Sequence, residues 1–299
     1  MAQQRKHAIT FILATLVLLS GGQLLAAPIT FNTALPVASG EHLVRLQVIQ
    51  NQSGDDPSGL KRDRIATTTV AAMGYGINRD WALFGILPYR KIDLDINRMG
   101  VSRDNSGWGD LTLFTRYSLY QKNERGKTFR IAPFFGVKLP TGEHNSGDKL
   151  GKFPLPVQVA SGSTDYFAGV VLTYQTLKYQ IDAQLSYREN NEADGLEAGD
   201  VTRLDASLQY RLWRTSGVGL PDYLYGVIEA NLIHQQQDKV NGVADPDTNG
   251  TRLFIAPGIQ YVTKRWIAEV AVQVPVKQNL NGSALENDYI ARTSIRFNF

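Results

Sequence analysis

Hydrophobic and polar side chains alternate along most of this chain. Tyr179, Ile181, Ala183, Leu185 and Tyr187 oppose Gln180, Asp182, Gln184, Ser186 and Arg188. Leu204, Ala206, Leu208, Tyr210 and Leu212 oppose Arg203, Asp205, Ser207, Gln209 and Arg211 in the same way. Successive side chains of a strand point to opposite faces, so each segment offers one apolar and one polar face. The chain ends on the same pattern, with Tyr289, Ala291, Thr293, Ile295, Phe297 and Phe299 on one side and Ile290, Arg292, Ser294, Arg296 and Asn298 on the other. The alternation predicts strands near 41–51, 63–76, 81–97, 108–120, 128–139 and 164–176, and near 178–189, 200–213, 223–235, 251–263, 266–276 and 287–299. The second of these, rich in Thr and Ala, has no readable facing.

The connections sharpen the fold class. Those at 77–80, 121–127, around 177, 214–222 and 264–265 are short, whereas 52–62, 98–107, 140–163, 190–199, 236–250 and 277–286 are longer and rich in turn formers. Long and short alternate, as the external loops and periplasmic turns of an even-stranded outer-membrane barrel do. A soluble β-sandwich has no reason to keep that rhythm. Trp81, Tyr120, Tyr174, Tyr179, Tyr210, Trp213, Tyr223, Tyr261 and Trp266 lie near short connections, as a periplasmic aromatic girdle requires, and Trp108 falls at an external end. The predicted fold is an all-β transmembrane antiparallel barrel of about 12 strands. Pro88, Pro133 and Pro257 each remove a donor from a predicted strand, which points to local bulges.

Composition agrees with this fold. Apolar content is 43%, with 13 Tyr, 12 Phe and 4 Trp, which suits a barrel whose outer face alone must be apolar. Cysteine is absent, so a closed hydrogen-bonded sheet has to supply what disulfides often supply in exported proteins. The net charge of +3 is spread along the chain, and no basic run with interleaved aromatics points to nucleic acid. Arg5 and Lys6 precede an apolar run from Ala8 to Leu19 and the small residues Ala26 and Ala27, the layout of an export signal. We read 1–27 as a signal peptide, although Pro28 is a poor residue just after a cut, and 28–299 as the barrel. The expected location is the bacterial outer membrane. Expected partners are outer-membrane lipid and lipopolysaccharide, the barrel-insertion machinery with Phe297 and Phe299 as its insertion signal, and a small-molecule solute.

Several stretches then stand out together: Leu87-Pro88-Tyr89, Gly109-Asp110-Leu111-Thr112-Leu113 with Arg116 and Tyr117, Phe135 to Gly142 ending in Lys138-Leu139-Pro140-Thr141-Gly142, and Gly162-Ser163-Thr164-Asp165-Tyr166. With them the chain resembles the outer-membrane transporter family named for the meta-pathway of phenol degradation. That resemblance implies a passive route for aromatic or other hydrophobic compounds and transfers no individual binding residue. Read physically, the glycines relieve crowding or permit turns, and the loop 140–163 either has that structural role or folds inward to narrow the mouth.

Candidate chemistry is sparse. His144 and Ser146 have the spacing of an outer-membrane phospholipase pair, but Gly147 follows and the stretch is a polar loop. Asp245 to Gly250 begins like a calcium loop, yet Ala256 stands where the closing Glu belongs. His42 and His234 have no metal-ligand spacing, and Asp148 replaces the lysine of a phosphate loop. No catalytic residue, metal or cofactor is predicted. The charged residues opposite the apolar stripe are Arg116, Asp182, Arg188, Arg203, Asp205, Arg211, Glu229, Glu269, Arg292 and Arg296. Facing lipid at the midplane would cost about 2–4 kcal/mol for each Arg, so these side chains are predicted to line the lumen. There they either pack it with salt bridges or line a constriction. Three functions remain: a passive channel, a plugged barrel acting through its surface loops, and a lipid hydrolase.

Overall fold

The computed structural model describes residues 26–215 and 221–299. Residues 1–25 of the expected signal peptide lie outside the described residues. The wall contains β1 His42–Ser53, β2 Arg62–Gly76 and β3 Trp81–Ile96, followed by an interrupted β4 in three pieces, Val101–Trp108, Leu111–Tyr117 and Tyr120–Glu124. It continues with β5 Lys127–Leu139, β6 Asp165–Thr176, β7 Tyr179–Glu189 and β8 Val201–Arg214. The last four are β9 Tyr223–Gln235, β10 Gly250–Val262, β11 Trp266–Leu280 and β12 Tyr289–Asn298. Every strand pairs antiparallel with its sequence neighbours. β12 closes the ring on β1, from Leu43 opposite Asn298 to Gln52 opposite Tyr289. Phe299 extends that seam: its N–H donates to the His42 carbonyl at 3.0 Å, and its own carbonyl accepts from the His42 N–H at 2.7 Å. An unpaired backbone group in hydrocarbon costs several kcal/mol, so a ring without an edge is what allows strands to span a membrane.

Directly opposed residues share a face, so register carries the facing of one strand around the ring. Arg45 of β1 opposes Ala72 of β2, and Ala66 of β2 opposes Ile92 of β3. This settles the strand whose sequence has no readable facing: Arg64, Ala66, Thr68 and Val70 look inward, while Ile65, Thr67 and Thr69 look out. On β7 and β8 the alternation holds as predicted, with Ile181, Leu185, Leu204 and Leu208 exposed on the outer face.

Three boundaries differ from the sequence reading. Residues 98–107, read as an external loop, hold the first piece of β4, so β3 and β4 form a long hairpin turned at 97–100. Its pairs include Asp93 opposite Asp104 and Asp95 opposite Ser102. A hairpin projecting beyond the lipid needs no apolar face, which is why no alternation marks it. At the short-turn rim β4 runs on to Glu124 through residues read as a turn, and at the long-loop rim β11 continues to Leu280 through residues read as a loop. The strict long–short rhythm therefore fails at 97–100. Tyr223 also departs from the girdle: it turns inward opposite Val262 and packs on buried Val262 and Ile267. The register shift at Arg211/Trp213 in the partner strand β8 lies beside it.

The prolines sit where pairing lapses. β3 sets two residues, Leu87 and Pro88, against three of β4 between the pairs Ile86–Thr112 and Tyr89–Trp108. Gly109 nevertheless donates to the Pro88 carbonyl at 2.8 Å. Pro133 lies between the pairs Phe134–Arg116 and Ile131–Tyr120, at the second interruption of β4. Pro257 falls in a gap of the β10–β11 ladder between Ile255–Val274 and Gly258–Ala271.

Leu185 is 52% exposed on the outer face of β7, opposite Leu204. Leu185→Arg should destabilise the inserted barrel by about 2–4 kcal/mol. Folding into phospholipid vesicles, followed by heat-modifiable gel mobility across a urea series, reads this directly.

Candidate functional site

The inner face has two unlike halves. On β3 to β6, Phe84, Ile86, Phe114, Ala132, Phe134, Phe167 and Val171 form one apolar cluster. Phe84 stacks on Phe114 at 4.6 Å, and Phe134 meets Phe114 edge-on at 6.3 Å. Large rings lie over glycines of the adjoining strands. A Cβ on Gly136 would collide with both Phe114 Cβ and Phe167 Cζ, and one on Gly169 would stand 2.6 Å from Phe134 Cζ. On β7 to β12 many of the buried inward positions are polar, including Gln180, Asp182, Asp205, Gln209, Glu229, Gln260 and Gln273, with Val227, Phe254, Ala256 and Ala271 among them.

The chain preceding β1 runs through this lumen. Ala26, Ala27, Ile29, Ala34, Leu35 and Val37 are all buried. The segment starts against β10, where the Gln260 amide accepts from the Ala27 N–H at 3.3 Å and donates to the Ala27 carbonyl at 2.5 Å. At β9 the Glu229 carboxylate accepts from the N–H groups of Ile29 (2.7 Å) and Thr30 (3.0 Å) and from the Thr30 hydroxyl at 2.5 Å. Crossing to β6 and β7, Thr33 donates to Asp182 at 3.0 Å and the Ala34 N–H donates to Thr173 at 2.9 Å. Arg116 of β4, stacked on the Phe84 ring at 4.8 Å, donates to the carbonyls of Thr33 (2.6 Å) and Leu35 (2.5 Å). Ala34 packs into the phenylalanine cluster, and Ile29 packs on Val227 and Ala271. A Cβ on Gly258 would be 3.0 Å from Ile29 Cδ1, and one on Gly76 would collide with the Ala38 carbonyl oxygen. Two inward glycines thus leave room for the segment to pass.

Register turns all ten charged residues singled out by parity toward the lumen. Arg116, Asp182 and Glu229 hold the segment. Glu269 pairs with Arg45 at 2.5 Å and accepts from Gln260 at 2.6 Å and from Ser294. Arg45 itself donates to the Ile29 carbonyl at 2.8 Å. Asp205 accepts from Arg203 at 3.0 Å and from Asn231 at 2.8 Å, and Arg292 donates to Gln273 at 2.6 Å. Arg188 lies over Phe167 and Arg211 over Tyr223, each at 5.5 Å. Arg296 stands opposite Arg45 in the closing seam. Phe297 faces outward at the short-turn rim, opposite Trp266, and Phe299 ends the seam beside His42.

The long loop also folds inward from the far side. Phe153, Val157 and Val159 are buried against Ala66, Ile92 and Leu94 of β2 and β3. Its base carries three of the four sequence stretches, those at 109–113, 135–142 and 162–166, which converge on one ion cluster. Lys138 pairs with Asp165 at 2.5 Å and with Asp110 at 3.4 Å, and donates to Ser161. Asp110 accepts from the Gly142 and Ser161 N–H groups, both at 3.0 Å, while Ser163 donates to Asp165 at 2.7 Å. Gly142 has no room for a side chain, since a Cβ would stand 2.5 Å from the Gly109 carbonyl carbon and 2.7 Å from the Trp108 oxygen. Nearer the loop tip Arg103 grips Asp148 bidentately at 2.9 and 2.8 Å. That grip holds the Asp148 carboxyl below its ordinary range.

The other candidates are structural neighbours of this arrangement. His144 contacts the Gly142 carbonyl at 3.2 Å and Asp194 at 3.6 Å. Among the described residues it makes no hydrogen bond to Ser146, whose N–H donates to Gln158 at 3.1 Å. In the stretch 245–250 the Asp245 carboxylate accepts from the Asp247 N–H at 3.0 Å, and the Asp247 carboxylate accepts from the Ser283 N–H at 2.8 Å. Both side chains therefore brace one external loop internally and against the next. The hairpins at 192–197 and 239–244 join as a four-stranded sheet through Leu196–Val240 and Glu197–Lys239.

The family described as "Putative MetA-pathway of phenol degradation" matches residues 58–284. No curated protein matches the chain. Among solved structures, an outer membrane channel from Pseudomonas putida F1 superposes with a TM-score of 0.69 at 13% identity, covering 92% of this chain and 100% of that one. The transport unit of the autotransporter AIDA-I from Escherichia coli gives 0.50 at 12% identity, covering 87% and 90%. At these identities the structures speak for the fold alone, an outer-membrane β-barrel. The sequence match extends over well more than half of the chain, and the protein belongs to the phenol-degradation MetA-pathway family.

Proposed function

We propose that this protein is an outer-membrane channel for small solutes and that residues 26–41 are its closure. One observation carries the reading: from Ala27 to Leu35 the segment crossing the lumen is joined to the wall by side chains, its main chain bonds to that of Gly76 at Gly40 and Glu41 just ahead of β1, and it takes no place in the strand ladders. A neutral hydrogen bond contributes about 0.5–1.5 kcal/mol net and one to a charged group about 1.5–3 kcal/mol, because water replaces it on release. Withdrawing the segment therefore leaves the ring intact. The superposed barrel from Pseudomonas putida F1 is named a channel, and the family description names phenol degradation, which favours aromatic compounds as the solute class. The phenylalanine wall gives such solutes an apolar surface. Passage, rather than hydrolysis by His144 and Ser146, is the activity assigned.

The closed lumen and the joined external hairpins also suit a barrel that acts only through its surface. The two readings separate when the closure is removed. Deleting residues 28–38 should leave a barrel with heat-modifiable mobility and raise the swelling rate of proteoliposomes in small sugars several-fold. A folded deletion variant as impermeable as the parent to every small solute would overturn the channel reading.

A reversible version uses the absence of cysteine in the chain. The Thr33 and Thr173 hydroxyls are 3.2 Å apart. In a Thr33→Cys/Thr173→Cys variant, oxidation should abolish solute flux and reduction should restore the parent level. Equal flux in both states would show that the segment does not gate.

A further inference from the structure

Beside the inward loop, whose Val157 and Val159 pack on Ala66 and Ile92, the wall of β1, β2, β3 and β12 borders a cavity of about 260 Å³. Its lining brings together Arg64, Arg90 and Arg292 with Ile49, Ile92 and Ile290. No Asp or Glu is in the lining. Among the described residues, none of the three arginines has a carboxylate within ion-pair distance. Arg64 directs one N–H to the Pro156 carbonyl at 2.8 Å, and Arg292 directs one to Gln273 at 2.6 Å. The acids that could answer them are engaged elsewhere: Asp205 by Arg203, Asn231 and Gln184, and Asp110 by Lys138 and the loop N–H groups.

Three guanidinium groups converging on one cavity repel each other, and each retains donors in a fork that matches a carboxylate. An anion satisfies both conditions. The isoleucines narrow the choice further. A bare inorganic anion has no use for an aliphatic wall, and an uncharged hydrocarbon would strip water from three cations without compensation. The volume lies just under the roughly 300–1,000 Å³ of sites for drug-sized ligands, so the occupant is limited to one ring or a short chain. We propose that this cavity binds a small organic monocarboxylate with an apolar body, aryl or short alkyl, its carboxylate between Arg90 and Arg292 and its body against the isoleucines. As a solute class for the channel this rests on the reading above, but the binding equilibrium itself needs no flux.

The test is fluorine NMR of 4-fluorobenzoate with the folded full-length barrel in zwitterionic detergent, corrected against empty micelles. Saturable broadening is expected, reversed by benzoate or hexanoate and left in place by benzyl alcohol. Arg90→Gln and Arg292→Gln should each weaken binding about tenfold or more, as loss of a charge-assisted hydrogen bond implies. Lys91→Gln, next in sequence but facing outward, should not change it. Displacement by benzyl alcohol as readily as by benzoate, or by sulfate at the same concentration, would overturn the proposal. So would parent-like affinity in both arginine variants. If those variants do not fold, Ile92→Asn provides the second probe: it should weaken benzoate binding, and unchanged benzoate affinity would refute an apolar half-site. Proteoliposome swelling in a neutral sugar is scored separately, so a barrel that binds benzoate but passes nothing refutes the channel and keeps the site.

Discussion

A backbone in hydrocarbon has to pair its N–H and C=O groups within the protein, and that single constraint reaches from the wall of this molecule to its centre. It forces a closed ring, and a ring of alternating strands has an inner face shielded from lipid. Charged and amide side chains collect there because the outer face excludes them. A buried carboxylate is costly unless hydrogen-bonded, so the lumen needs partners of its own. Residues 26–41 supply many of them. Glu229 takes two main-chain N–H groups from the segment, Arg116 takes two carbonyls, and Gln260 takes one of each. The segment and the buried charges are therefore one construction, in which a main chain outside the sheet satisfies side chains inside it.

The sequence stretches that mark the family have a complementary role. They lie far apart along the chain, yet Asp110, Lys138 and Asp165 meet in one ion cluster, with Gly142 pressed against the Gly109 backbone. This fixes the base of the long loop where β4 is interrupted. From that base the loop lays Val157 and Val159 against the inner wall. The lumen is thus narrowed from both sides by different means. On the external side it is an anchored loop with its own apolar contacts, and on the short-turn side a strap held mostly by polar ones.

What could be read from the sequence follows from what lipid demands. Strands such as β7 and β8 display their alternation because one face meets hydrocarbon. The first piece of β4 meets water on both faces and leaves no such trace, so Val101–Trp108 reads as a loop. The facing of β2 is hidden because Thr and Ala suit either side, and only its pairing with Arg45 and Ile92 resolves it. Tyr223 misleads by position: it sits near a short connection but packs inward on Val262. The crossing segment is the largest omission. It has no periodicity, and its partners lie far off along the chain, with Glu229 200 positions from Ile29. A short apolar stretch with Pro and Thr between the expected export signal and the first strand is the available hint. The ten inward charges were visible by parity, but which of them hold a strap and which face open space depends on contacts no local pattern encodes.

The phenylalanine wall carries a thermodynamic consequence. Ala34 occupies the same apolar surface that an aromatic solute would occupy, within the cluster of Phe114, Phe134 and Val171. Two occupants that exclude each other from one surface are negatively linked, and the linkage is reciprocal: whatever the strap loses in affinity when solute is bound, the solute loses when the strap is home. On the proposed channel reading, solute concentration would set the fraction of barrels that stand open. The solute would be its own effector, and a barrel bathed in clean water would shut without any further signal.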